Sequence, residues 1–583
     1  VDTVPTAALW AGIPSFAVLS GVVMLALALA ATANRFDAEW AHPLFWAALC
    51  LMFVTAAWRL LSIQASRQER IGIVVLVGLT CYFVKIVSYP SHFSYFDEFL
   101  HWQTTNDILN TGHLFTTNPL LPVSPLYPGL ELVASALVRF TGLSVSEAGM
   151  ILIGVARVIL MLSLYLLFEE ISASPRIAGL AALIYTCHTN YLFFSSEFSY
   201  ESLALPLATF ALFAIARRVH RRDFRIERFI GLIVLVVGFV AITHHLTGYA
   251  VAAVVILWMI ITFIRFRGLR GWLDLALIAV CVLLLTGGWT AYVGNATVDY
   301  LGPVIHGGMT ELMAFITGEA TGRQLFHTSS GIASPMWERI TAIMGVGFII
   351  LMLPVGLFYI WRRYRNQTLA LTVGSLVVLY PLMQAFRLTT HGWELASRSA
   401  AFLFWGISFV LAVGFVNPLS GRSWRNHRII YVLAGGYITV IFVGGALSGW
   451  PGWSRLPGSY IVSGDPRAIE PQSIRAAEWV GANLPANSRI GADRVNMLLM
   501  TVWGKQRPIT HLSDDVDISN VYFAEQVGDK ERALLKSVDA RYLVVDSRLS
   551  TALPIRGTYF ESTENNGKPH TTPLDLKALL KFG

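Results

Sequence analysis

The sequence predicts a polytopic α-helical membrane protein of about thirteen transmembrane helices followed by a soluble α/β domain, and three observations carry that reading. The chain of 583 residues is 55% hydrophobic and only 14% charged, with its apolar residues gathered in long blocks. Blocks of roughly 18 to 22 residues satisfy their backbone as helices while crossing the hydrocarbon layer. Lys and Arg collect in alternate connections between the blocks. Beyond Trp450 the blocks stop and a soluble composition returns.

The spans fall near 8–32, 41–61, 71–89, 147–168, 177–194, 200–216, 229–243, 247–264, 273–293, 340–360, 367–386, 399–416 and 429–449. Arg67 and Arg70, Arg176, the run 217–228, RFRGLR at 265–270, WRRYR at 361–365 and GRSWRNHR at 421–428 all belong to one set of connections. Short cation-rich loops stay cytoplasmic, whereas residues 90–138 contain no Lys or Arg. This predicts a multi-pass plasma-membrane protein with a cytoplasmic N-terminus and an outward-facing segment around Asp97. The first span has no small-residue cleavage site after it and reads as a retained helix. The net charge of +7 is then a topology signal rather than a nucleic-acid footprint. Cys50, Cys81, Cys187 and Cys281 all lie in apolar spans, against a disulfide framework or CxxC metal site.

Two domains follow: a membrane domain over 1–450, with outer segments at 90–146 and 294–338, and an extracytoplasmic α/β domain over 451–583. In the latter, SIRAAEWVGANLP spaces Ile474, Ala477, Trp479 and Val480 as an amphipathic helix stopped by Asn483 and Pro485. SRIGAD and ARYLVVD read as short buried strands, with NMLLMTVWG as an apolar helix between strand signals. The segment 294–338 is long, mixed and polar, suited to a lid or binding element.

The segment FSYFDEFLHWQTTNDILNTGHLFTTN, 93–118, sets Asp97 beside Glu98 with His101 one turn on, directly after a span. It is too polar to cross the membrane and is expected to lie along its surface as an interfacial helix. Asp97 and His101, four apart, share a face and can look into one cavity. The competing role for Asp97 is an N-cap. Arg387 and Arg398 flank the connection RLTTHGWELASR at span boundaries, where a guanidinium can bind two phosphate oxygens; His391 and Glu394 lie between them as substrate contacts. Snorkelling anchors are the alternative for the arginines. His244 and His245 sit at the turn of a short helical pair, placed for phosphate, sugar or metal. Tyr200 and Glu201 belong to the polar loop SSEFSYES and compete with a helix-cap role. Lys85 and Arg157 are charged residues within spans; Lys85 can snorkel outward, and Arg157 needs an acidic or carbonyl partner.

FDEFLHWQTTNDILNTGHLF, then SPLYPGLELVASALVRFTGLSVSEAG, then the span pair joined by SSEFSYES, resemble in order the opening of the GT-C membrane glycosyltransferases, which include protein O-mannosyltransferases and the bacterial aminoarabinose transferases of lipid A. The resemblance covers roughly 85–220 in detail. It implies that Asp97 is the general base toward an acceptor hydroxyl, that Glu98 orients it or helps it hold a divalent cation such as Mg or Mn, and that Tyr200 and Glu201 line the substrate site. The sequence departs from the family pattern in placing two spans before the one that ordinarily comes first, and in a Pro-rich turn, SPLYPG, that carries no Lys. The implied partners are a polyprenyl-phosphate-linked sugar donor, a glycan, lipid or protein acceptor and membrane lipids, with no nucleic acid. Such a transfer needs a base for the hydroxyl and stabilisation of the leaving phosphate, and a single base suffices for inversion. An oligosaccharyltransferase or glycan polymerase, and a lipid-linked glycan flippase, remain as alternatives.

Overall fold

Every stretch expected to cross the membrane carries a helix in the computed structural model, which describes residues 12–221, 226–266, 269–319, 322–390, 392–419 and 428–582. His391, the start of the first span, and parts of the basic connections 217–228, 265–270 and 421–428 lie outside the described residues. Eleven helices among the described residues are long and apolar enough to span a bilayer, so the protein is a multi-pass integral membrane protein. Pro175–Tyr185 and Arg228–Thr243 are apolar but shorter. The count of about thirteen spans therefore becomes eleven full-length candidates with two short helices beside them.

The stretch 177–194 is short for a local reason. Its helix ends at Tyr185, where Thr186 Oγ1 donates to the Leu183 carbonyl at 2.7 Å. The chain then unwinds into turns held by Arg157, whose Nη2 donates to Tyr191 O at 3.2 Å and to Ser196 Oγ at 2.8 Å. That is the partner Arg157 needed. The stretch 367–386 breaks into Thr368–Leu376 and Leu379–Phe386. Pro381, in the first turn of the second piece, has no N–H to continue the ladder, and the Val377 carbonyl accepts from Tyr380 N at 3.0 Å instead.

Helices Val145–Ser172 and Tyr200–Arg221 pack along each other, as do Met336–Tyr364 and Arg428–Gly449. Gly445 and Gly449, one turn apart, let the last of these close on the unwound segment: an added Cβ would stand 1.9 Å from Cys187 O and from Thr189 O respectively. The segment 294–338 is not an irregular lid throughout, since Ala296–Thr317 is helical.

Beyond Trp450 three short parallel strands, β1 (Arg489–Gly491), β2 (Arg507–Pro508) and β3 (Tyr542–Leu543), form a sheet in the order β2-β1-β3. Ile490 is in register with Pro508 on one side and Tyr542 on the other. The two expected strands are β1 and β3; β2, two residues long with a proline at a sheet edge, has no periodicity to read. Pro471–Asn483 and Arg494–Val502 are the expected helices. Trp479, however, is 60% exposed while Ala477 is fully buried, because residues two apart point to nearly opposite helix faces.

This C-terminal region does not stand apart from the membrane domain. Phe93, Phe99 and Trp102 share one apolar cluster with Ala477, Leu498 and Leu499, and the Trp102 and Trp503 rings meet edge-on at 4.9 Å. Arg455 forms a buried bidentate pair with Glu338, Nη1–Oε1 at 2.6 Å and Nη2–Oε2 at 3.1 Å. Breaking a buried pair by removing one partner costs about 3–5 kcal/mol; since Arg455 also donates to Trp450 O, Glu338→Ala is expected to cost about 3 kcal/mol. The expected observation is a lower thermal midpoint in detergent, with earlier proteolysis near residue 450 than in the parent.

Candidate active site

The end of the helix Arg67–Ser88, the start of the helix Phe96–Thr111 and the unwound segment before Tyr200 meet at one buried carboxylate. Glu98, fully buried, receives Lys85 Nζ and Phe198 N (3.0 Å) on Oε1, and Ser94 N (3.0 Å) and Tyr95 N (3.1 Å) on Oε2. Lys85 is itself buried and does not snorkel. The capping role considered for Asp97 thus belongs to Glu98, at the third position of the helix, where a carboxylate reaches back to free backbone donors. Glu98 has no oxygen left for a metal.

Asp97 is turned about 100° from Glu98 around the helix and is 28% exposed. Its carboxylate accepts no hydrogen bond among the described residues. Arg398 Nη2 stands 3.6 Å from its Oδ2, and Arg398 Nε stands 4.0 Å from Glu394 Oε1. Both separations exceed hydrogen-bond length. The guanidinium lies over the Phe194 ring at 4.3 Å, and its N–H groups make no hydrogen bond to the described residues. Glu201 and Tyr200 also lie within electrostatic reach of it.

Around this pair the other site candidates converge. Tyr200 stacks on His244 with centroids 4.4 Å apart and meets His101 edge-on at 4.6 Å. His101 Nδ1 lies 2.7 Å from Glu131 Oε1 and His244 Nδ1 lies 2.7 Å from Thr247 Oγ1. His245 packs against His244 and Tyr127. Four buried side chains here keep atoms without partners: both Glu201 oxygens, Glu197 Oε1, Glu131 Oε2 and His245 Nδ1. Buried polar atoms are ordinarily paired, so such a group marks a place a polar ligand can fill. Burial pushes the Glu197 carboxyl well above the usual carboxylate range, and the charges of Asp97 and Glu98 push it further, with Lys85 and Arg398 opposing.

Arg387 is not part of this cleft. Its Nη2 donates to Thr189 Oγ1 at 3.0 Å, beside a small cavity of about 30 Å³ that Ala396, Ala400 and Leu403 also line. Those three occupy the face of the helix Gly392–Val416 opposite Arg398. Sequence reasoning put both arginines on one phosphate; the helix separates them. It also missed Glu197, although that residue stands in the loop already singled out, and Glu131, a helix-borne acid in the Pro-rich segment. Tyr300 and Arg556 come within electrostatic reach of Asp97 from distant parts of the chain, and nothing local in the sequence signals them.

As a cation site the cleft is a poor fit. Glu98 is fully engaged, a guanidinium borders Asp97, and among the described residues no three His, Cys, Asp or Glu side chains converge as metal ligands.

An integral-membrane helical bundle carrying a carboxylate–guanidinium cleft at one end is the class that fold and site define. Its architecture is shared with solved structures of a membrane oligosaccharyltransferase. The chain is similar to the oligosaccharyltransferase of Archaeoglobus fulgidus tethered with an acceptor peptide containing the NVT sequon: TM-score 0.51 and 13% identity over 82% of this chain and 69% of that one. The same enzyme in complex with Zn and sulfate matches at TM-score 0.52 and 13% identity, over 82% and 68%. ArnT from Cupriavidus metallidurans bound to undecaprenyl phosphate matches at 0.46 and 13% identity, over 75% and 85%. No family model and no curated protein matches the sequence.

Two outcomes follow from this geometry. Lys85→Met leaves Glu98 charged and unpaired in the interior and is expected to destabilise the protein by about 3–5 kcal/mol, read as a drop in thermal midpoint. Glu197 has a raised folded-state pKa, so its contribution to stability is fully present below the ordinary carboxylate pKa and is lost as pH rises toward the folded value. Glu197→Gln is therefore expected to flatten the decline of thermal midpoint between pH 4 and pH 8, and to unfold at higher temperature than the parent at the alkaline end.

Proposed function

We propose that the protein is a GT-C-type glycosyltransferase that moves one sugar, a hexose or pentose, from a polyprenyl-phosphate carrier to an acceptor hydroxyl at the outer membrane face. The observation that carries this reading is the Asp97–Arg398 pair: a carboxylate 3.6 Å from a guanidinium, neither with a hydrogen-bond partner among the described residues, in a cleft at one end of a GT-C-like bundle. The cation-rich connections belong to the opposite end, which supports placing the cleft outside.

In this mechanism Asp97 accepts the proton of the acceptor hydroxyl as its oxygen attacks the anomeric carbon. The bond from that carbon to the phosphate oxygen breaks, and the electron pair leaves with the polyprenyl phosphate. Arg398 holds the departing phosphate by charge-assisted hydrogen bonds. One displacement inverts the anomeric centre, and Asp97 is the one carboxylate the step requires. Glu201, Glu197 and His245, with their open hydrogen-bonding atoms, receive the sugar hydroxyls, and Tyr200 supplies a ring against which the sugar rests. Glu98 acts only by fixing the rotation of the helix that carries Asp97.

Purified protein supplied with labelled polyprenyl-phosphate sugars and candidate acceptors tests the reading. Asp97→Asn is expected to lower transfer by about 10²–10⁴-fold while donor binding persists. Arg398→Ala is expected to lower the maximal rate by about 10²–10³-fold. Undiminished transfer by Asp97→Asn removes the base assignment. Movement of labelled lipid across a bilayer without transfer favours a flippase, and transfer only from donors bearing a whole glycan favours an oligosaccharyltransferase or polymerase.

A further inference from the structure

A cavity with a polar wall lies in the C-terminal region, well removed in sequence from Asp97, and the reaction described above makes no use of it. Its volume is about 790 Å³, within the roughly 300–1,000 Å³ of small-ligand clefts. The edge strand β2 opens directly onto it. Ile509 N completes the sheet by donating to Ile490 O at 2.9 Å, Thr510 then caps the next turn, and His511 begins the wall. Parallel sheets present their ligand crevices at the carboxyl ends of their strands.

The lining chemistry selects among ligand classes. Among the described lining residues there is no Lys or Arg, which disfavours phosphates, sulfates and other anions. Amides and carboxylates dominate instead: Asn520, Asn566, Asp515, Asp517 and Asp575. Several have capacity to spare. Asn520 Nδ2 donates to Asp517 O at 3.1 Å, leaving its carbonyl oxygen open, and Asp575 spends one oxygen on Lys577 N at 2.9 Å. Phe523, Pro573 and Leu574 supply an apolar wall within the same cavity. The far wall is held rigidly by the buried Glu564, which accepts from Tyr559 N at 2.6 Å, Phe560 N at 2.7 Å and lies 2.9 Å from His570 Nε2. Rigid walls reduce the ordering cost of binding.

We propose that this cleft is a binding site for a neutral saccharide. A sugar ring has apolar C–H faces to lay on Phe523 and Pro573, and hydroxyls that donate to carboxylates while accepting from amides. A divalent cation is the competing occupant for acidic side chains, but no three potential ligands converge among the described residues. The cleft is also fastened to the segment that follows the Asp97 helix, because Thr510 Oγ1 and Ser513 Oγ both donate to Pro119 O, at 2.8 and 2.9 Å. Binding itself requires nothing of Asp97, so the two readings fail separately.

Saturation-transfer NMR on the full-length protein in nanodiscs, with methyl glycosides of neutral hexoses and pentoses as probes, tests the site. The expected result is saturation of ring C–H protons in the parent and in Asp97→Asn, loss of the signal in Thr572→Trp, which fills the cavity mouth, and weakening in Asn520→Ala. Both substituted side chains are solvent-exposed, and thermal midpoints are recorded alongside. No signal from any glycoside with the parent, or an undiminished signal in both cleft variants, overturns the proposal. So does a calcium chloride titration that saturates a site lost in Asp575→Asn while the glycosides remain unbound.

Discussion

The buried contact between Lys85 and Glu98 is the constraint on which the geometry of the cleft depends. A carboxylate with no exposed surface must be matched on all sides, and here four donors do so: one ammonium from the end of a membrane helix and three backbone N–H groups from two separate segments. The match leaves one rotation available to the helix Phe96–Thr111. That rotation faces Asp97 toward Arg398 and His101 toward Glu131 and Tyr200. Two adjacent acids thereby acquire opposite characters, one saturated and inward, the other partly exposed and without a hydrogen bond among the described residues.

The cleft combines that fixed carboxylate with a guanidinium whose charge Asp97, Glu201 and Glu394 offset through space. Asp97 and Glu394 approach Arg398 without hydrogen-bonding it, and Phe194 offers only a ring face. The open atoms of Glu201, Glu197 and His245 border the same space. An interior that leaves this many polar atoms unmatched is costly to keep, and Tyr200, stacked on His244 and edge-on to His101, holds the walls in place while it is so.

What was legible in the sequence was mostly what local physics decides. A transmembrane helix satisfies its own backbone, so apolar length alone located each bundle helix, and the proline and threonine that shorten two of them act within a turn or so. Asp97 and Glu98 stood out because a polar pair directly after a span is conspicuous. What divides their roles was not legible, since Glu98's partners come from Lys85 and from Phe198, the latter 100 residues away. Trp479 and Trp503 illustrate the same limit: both carry apolar side chains near the strands, but only the second finds Trp102 and Phe99 to cover it. Arg387 and Arg398 looked equivalent as boundary cations until the intervening helix turned them to opposite faces.

The apolar cluster that joins Phe99 and Trp102 to Trp503 has a consequence for the order in which the protein is made. The helix bearing Asp97 emerges from the ribosome early, yet the residues that cover its apolar side come much later; the Thr510 contact to Pro119 alone spans 391 positions. Until that distant stretch has been synthesised and has reached the same side of the membrane, Phe99 and Trp102 lack the Trp503 ring that packs against both. The half-built chain therefore carries a partly uncovered aromatic face on the helix of Asp97, and completion of its packing is tied to delivery of the C-terminal region.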